Sequence, residues 1–325
     1  MKLRTLVAGA VAFPLGMGLL ACAQAQEFPA RPLRILVGYP PGGVPDVVAR
    51  YVGGQMAPLL GQAVNVENKP GAGGLLAAQE VIKSAPDGYT FLMASSTDWG
   101  IMPALRPGIY DPVSAFTPLC GVGFNALMLS VKGDFAAKNF QEFVAMAKAK
   151  PGSLRYASGG TAGFHHLYME SLKAALGIDL VHIPYKGGPA MSQALAAGDV
   201  EVTAVALITS GPLVRAGKLR YIAISTAERS PLAPTVPSMR EVGVPDLHFA
   251  ATIGFVGPAG LPKPVLDRLA GSCAKVAQTA EFNTRAAESF GMDPAYRNPA
   301  ELAEIIRADI PRYARAVKIS GAKLD

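Results

Sequence analysis

Residues 33–94 alternate short runs rich in Val, Ile and Leu with stretches of helical period, and no other feature limits the fold as much. Residues 33–39 (LRILVGY) read as a buried strand and 46–60 as a helix with Asp46 as its N-cap. Residues 63–68 are a second expected strand, 75–84 a second helix and 90–94 (TFLMA) a third strand. Strands joined through helices run parallel, so this order predicts an α/β fold, a parallel sheet with helices on both faces.

A second set begins near residue 126, where ALMLSV reads as a strand. A helix over 139–150 stops at Pro151-Gly152. Strands at 154–157, 180–184, 200–206 and 219–225 then alternate with helices at 164–176, 190–197 and 213–216. Two long amphipathic helices follow, 264–290 with a break near Thr279, and 299–320. The expectation is two lobes built on mostly parallel sheets. The first takes residues 26–125 and 227–325, because the late helices need a sheet to cover; the second takes 126–226. Strands near 127–131 and 221–225 would form the hinge.

A chain of 325 residues, half hydrophobic and 17% charged, has ample material for two cores and is not disordered. Residues 1–25 read as a secretory signal: Lys2 and Arg4, an apolar run broken by Pro14 and glycines, then Ala23-Gln24-Ala25. The protein is therefore expected in the periplasm. Leu19-Leu20-Ala21-Cys22 leaves open lipidation at Cys22. Removing the segment lowers the net charge from +6 to +4, without any basic run, so nucleic acid is not an expected partner. Cys120 and Cys273 are expected as two separate buried thiols, although an oxidising compartment permits a disulfide.

Ligands of open α/β sheets sit beyond the carboxyl ends of the strands. Gly42, Gly43 and Val44, with Asp46 beyond, follow the first strand and lead into a helix whose free amides suit a carboxylate. An ordinary tight turn would look the same. Ser95, Ser96, Thr97, Asp98 and Trp99 follow the third strand and either line a ligand site or cap and pack. In the second set, Ser158, Gly160 and Thr161 again run into a helix start, and Tyr185 follows the next strand. His165, His166 and Glu170 share a helix, but core packing or capping explains them better than a metal. GxSxG, GxxxxGK[ST], HExxH and GxGxxG patterns are missing. Neither a catalytic residue nor a metal or cofactor is expected.

These segments resemble the substrate-binding proteins of tripartite tricarboxylate transporters, the Bordetella uptake gene family. The matching phrases include Pro40-Pro41-Gly42-Gly43 with Asp46, Glu67-Asn68-Lys69-Pro70-Gly71-Ala72-Gly73-Gly74 and Pro86-Asp87-Gly88-Tyr89-Thr90. Tyr156-Ala157-Ser158 with Gly160 and His166, and His182-Ile183-Pro184-Tyr185-Lys186-Gly187, also match. The resemblance implies a two-lobed, periplasmic-binding-protein type II fold with a cleft between the sheets. It implies capture of a small organic carboxylate, delivered by a monomer to a two-component integral-membrane permease. Gly42, Gly43, Val44, Ser158 and Thr161 occupy the positions that hold the carboxylate in similar proteins. A periplasmic sensor would use the same fold. The chain departs from the pattern at Val44-Pro45 and Ala162-Gly163, where hydroxyl side chains are frequent, and at Asp98-Trp99. Those departures suggest a ligand with one carboxylate plus an aromatic ring, stacked on Trp99, or a donor group bonded to Asp98.

Overall fold

The structure is a computed structural model that describes residues 28–323. The expected signal segment and Cys22 lie outside the described residues. The strands are β1 (Leu33–Val37), β2 (Val64–Asn68), β3 (Thr90–Ser95), β4 (Phe116–Ala126), β5 (Met128–Lys132), β6 (Arg155–Ser158), β7 (Val181–Pro184), β8 (Val202–Val205), β9 (Leu219–Ile224), β10 (Ala250–Pro258) and β11 (Asp293–Arg297). They form two sheets, in the orders β11-β4-β10-β3-β1-β2 and β7-β6-β8-β5-β9. Pairing is parallel within β2-β1-β3 and β7-β6-β8 and antiparallel elsewhere. The sheets are thus mixed rather than mostly parallel, with β4, β5, β9, β10 and β11 each paired antiparallel to a neighbour.

In the first sheet Leu33, Ile35 and Val37 of β1 pack on Val48, Val52 and Met56 of helix Val44–Leu60. Leu36 and Leu92 on the other face meet Ala77 and Val81 of helix Leu75–Lys83 and Leu302 and Ile306 of helix Pro299–Ser320. A strand covered on both faces has no polar alternation, which is why β1 reads as a continuous apolar run. Each such side chain contributes about 1.5–3 kcal/mol of burial.

β4, β10 and β11 were not expected. β4 carries Pro118, Gly121, Gly123 and Asn125, which break the strand pattern. One of its neighbours shows the reason for glycine here: a Cβ on Gly254 of β10 would lie 2.6 Å from the Cys120 carbonyl oxygen.

The chain passes between the sheets at Leu127, Ser225 and Phe249. Ser225 ties the three passages together. Its hydroxyl accepts the Leu127 N–H (2.9 Å), its N–H donates to the Leu127 carbonyl (2.9 Å) and its carbonyl accepts the Phe249 N–H (2.8 Å). Residues 227–249, expected in the first lobe, pack instead on the second. Met239, Val244, Leu247 and Phe249 share one core with Leu129, Phe143 and Leu167. The late helices are Lys263–Ala277, Ala280–Arg285 and Pro299–Ser320, with Thr279 capping the second through the Phe282 N–H.

Cys120 and Cys273 form a disulfide, with Cα atoms 6.5 Å apart, so the expectation of separate thiols is corrected. Helix Lys263–Ala277 crosses the face of the first sheet and brings Cys273 over β4 in the same core cluster.

Candidate functional site

Helix Val44–Leu60 begins two residues earlier than expected. Gly43 is its N-cap and Asp46 lies inside the first turn, so Asp46 is not the cap. The Asp46 carboxylate accepts the Gly42 N–H (2.9 Å), Arg50 (3.2 Å) and the Asn68 side-chain amide (2.8 Å). Burial alone would raise its pKa, but these donors hold it below the usual carboxylate range. Asp46 is therefore turned inward as the brace of the Gly42 turn, and the Gly42 amide is already used. The amides of Gly43, Val44 and Asp46 make no hydrogen bond among the described residues. They stand at the positive end of a 17-residue helix. Gly42 has φ +84°, a value that favours glycine.

The loop after β3 is turned into the protein. The Ser95 N–H and hydroxyl donate to Asp98 (2.8 and 3.2 Å), and the Thr97 N–H donates to the Ser95 hydroxyl (3.2 Å). The Ser96 hydroxyl and the Trp99 indole N–H both donate to Asp309 (2.7 and 2.9 Å). Trp99 has no exposed surface. It packs in the core with Leu36, Leu92 and Leu302, so it offers no face to a ligand ring. Asp98 is 1% exposed and lies against Gly74, where a Cβ would meet its Oδ1 at 2.7 Å. Burial pushes its carboxyl up to about 7. The expected contacts from Ser96, Asp98 and Trp99 to a ligand are thus corrected: these side chains buttress the loop. Thr97 remains half-buried at its surface.

The second sheet repeats the first design. β6 runs into a glycine turn at 159–163, and Gly163 caps helix Phe164–Leu176. Gly160 and Thr161 are at or near the surface. Ala162 holds φ +62°, which places its N–H 3.4 Å from Nδ1 of His166. Ser158 is fully buried; its Oγ lies 2.6 Å from His182 Nε2 and accepts the Gly160 N–H (3.2 Å). The His166 and His182 ring centroids are 4.3 Å apart, and Tyr156 stacks on His182 at 5.0 Å. Burial drives both imidazoles down, His182 to about 4, so both are neutral near pH 7. Tyr156 donates to Glu170 (2.6 Å), which pairs with Lys173 (2.9 Å). Ser158 and His166 therefore support the loop from beneath. The short Ser158–His182 distance is that of a nucleophile and its base, but a buried hydroxyl shared with Gly160 offers no attack path. Tyr185 is half-buried, and its N–H donates to the Ser158 carbonyl (2.8 Å).

Two neighbours of these loops were missed. The Tyr39 hydroxyl lies 3.4 Å from Ser95 Oγ, and Tyr39, read as the last residue of the first strand, lies just beyond the end of β1. Thr209 of helix Leu207–Arg215 abuts the 185–188 turn: a Cβ on Gly188 would lie 3.1 Å from it. Gly211-Pro212 masks the start of that helix in the sequence.

Two mixed α/β sheets joined by three passages define a two-lobed periplasmic binding protein, with a glycine turn and helix start beyond each parallel strand set. The family model described as tripartite tricarboxylate transporter family receptor matches residues 48–321, and the chain belongs to that family. It is 32% identical to the protein BugT of Bordetella pertussis over 94% of both chains. Among solved structures it resembles the R. palustris protein Rpa4515 with adipate, at 28% identity and TM-score 0.77, covering 91% of this chain and 99% of that one. It also resembles MatC of Rhodopseudomonas palustris with bound malate, at 30% identity and TM-score 0.72, covering 89% and 100%. Among the described residues no helix is long and apolar enough to cross a membrane.

Proposed function

We propose that the protein captures a small organic carboxylate between its two lobes and hands it to a two-component membrane permease. The observation that carries this is the repeated design: in each lobe a parallel strand ends in a glycine turn, and a long helix begins with open amides directed past it. The adipate and malate held by relatives are the chemistry such seats suit. Asp98 lies behind Gly74, and burial pushes its carboxyl up to about 7, which weakens the charge it sets against a second carboxylate. With Trp99 in the core as well, a dicarboxylate fits the site better than an aromatic acid.

Val44→Pro tests the reading. Position 44 is the first of its helix, where proline is tolerated, and Gly43 before it has the extended backbone that proline requires (φ −74°, ψ 163°). The change deletes one amide donor and keeps the helix. Calorimetric titration with adipate and malate is expected to show saturable binding, weakened about tenfold in the variant. If neither dicarboxylate binds the unaltered protein, the carboxylate assignment falls.

A further inference from the structure

We propose that a groove behind the hinge is a second binding site, for a small amphipathic organic anion. It encloses about 650 Å³, within the range of small-ligand sites. One wall is the far end of helix Phe164–Leu176, at Ala174 and Ala175, roughly 15 Å along the helix from the Gly163 turn. The floor is the passage at Val244 and Phe249. The other wall is helix Pro299–Ser320, at Arg312, Arg315 and Ile319. His248 and Arg312 also line an adjoining cavity of about 270 Å³, so the space extends along the helix.

The lining is suited to an amphiphile. Ala174 and Ala175 leave room where larger side chains would close the walls. Val244 and Phe249 are buried beneath, and Ile319 is left 38% exposed at the rim. Four groups in the groove bear on charge: Asp246, His248, Arg312 and Arg315. His248 accepts the Ala227 N–H at Nδ1, and burial keeps it neutral, down to about 4. Arg312 is committed to Asp309 at 2.6 Å, and that carboxylate also serves Ser96 and Trp99. Arg315 makes no ion pair among the described residues. A guanidinium without a partner beside an apolar floor recognises a carboxylate or sulfonate head attached to a hydrocarbon body. The C-terminal helix covers the first sheet at Leu302 and Ile306 and joins the core of Leu167 and Leu172 at Tyr313 and Ala316, so the groove lies where this helix meets the second lobe.

Octanoate and its neutral analogue octanamide are the probes, read by Ile δ1-methyl NMR on the full protein. Ile319 reports the groove, and Ile208, 40% exposed at the start of helix Leu207–Arg215, reports the loops of the main site. Octanoate is expected to move Ile319 saturably. Octanamide and the Arg315→Gln variant should each weaken that effect about tenfold. Ala175→Trp should abolish it by filling the space. The proposal is overturned if Ile319 does not respond at millimolar octanoate, if Ile208 alone responds, or if Arg315→Gln binds octanoate as the unaltered protein does.

Discussion

Asp98 shows how a single buried carboxyl is expected to shape pH behaviour. Its pKa rises from an ordinary 3.8 to about 7 because burial penalises the charged form more than the Ser95 donors help it. The folded state then holds a proton that the unfolded chain has released. Stability contributed at this position is thus full below about pH 4 and declines as pH rises toward about 7, by as much as ~4 kcal/mol. Asn at 98 can accept the same Ser95 bonds and carries no charge. Melting temperatures of the Asp98→Asn variant and the unaltered protein should therefore diverge between about pH 4 and pH 7, with Asn the more stable at the upper end. Parallel profiles would show that Asp98 ionises normally in the fold. Asp46 lies at the opposite extreme, charged and surrounded by donors, so it stiffens the Gly42 turn throughout this range.

Among the elements, β4 depends on a partner distant in sequence. The Cys120–Cys273 bond joins it to helix Lys263–Ala277 across a separation of 153 residues. Closing so long a loop restricts the unfolded chain strongly, worth about 4–5 kcal/mol in the chain-entropy account. Replacing both cysteines by serine should lower the denaturation midpoint by a corresponding amount, measured in urea without reductant, while leaving the 42–46 and 158–163 turns in place. An unchanged midpoint would mean that the core of Leu119, Val122 and Phe255 alone fixes the helix. The two glycine turns are elements of another kind. Each is held from beneath by side chains bonded to its backbone, Asp46 in one lobe and Ser158 with His166 in the other.

The whole molecule is organised around the passage at Phe249. Its ring meets Phe164 of the second lobe at 5.0 Å and Tyr313 of the C-terminal helix at 5.2 Å, and the Tyr313 hydroxyl donates to the Ala250 carbonyl (3.0 Å). Phe249→Ala should therefore cost about 3–5 kcal/mol and loosen both lobes in one transition. Two separate thermal transitions, one at the original temperature, would show instead that the lobes are stabilised independently.

The β1 and β3 runs, helices 164–176 and 299–320, and the loops after the parallel strands were legible because local periodicity and glycine placement fix them. The family phrases located the same loops. Helix 299–320 also carries its own capping box at Asn298 and Glu301, a purely local signal. Tertiary structure decided the rest. Whether Trp99 met a ligand or the core depended on Asp309, 210 positions away, which accepts its N–H. Whether Cys120 and Cys273 paired depended on a helix crossing a sheet. Residues 227–249 joined the second lobe because the apolar surface of Met239 and Phe249 found its complement there. Sequence period sets which side of an element is apolar, whereas the partner that covers it is chosen only when distant elements compete for the same buried surface.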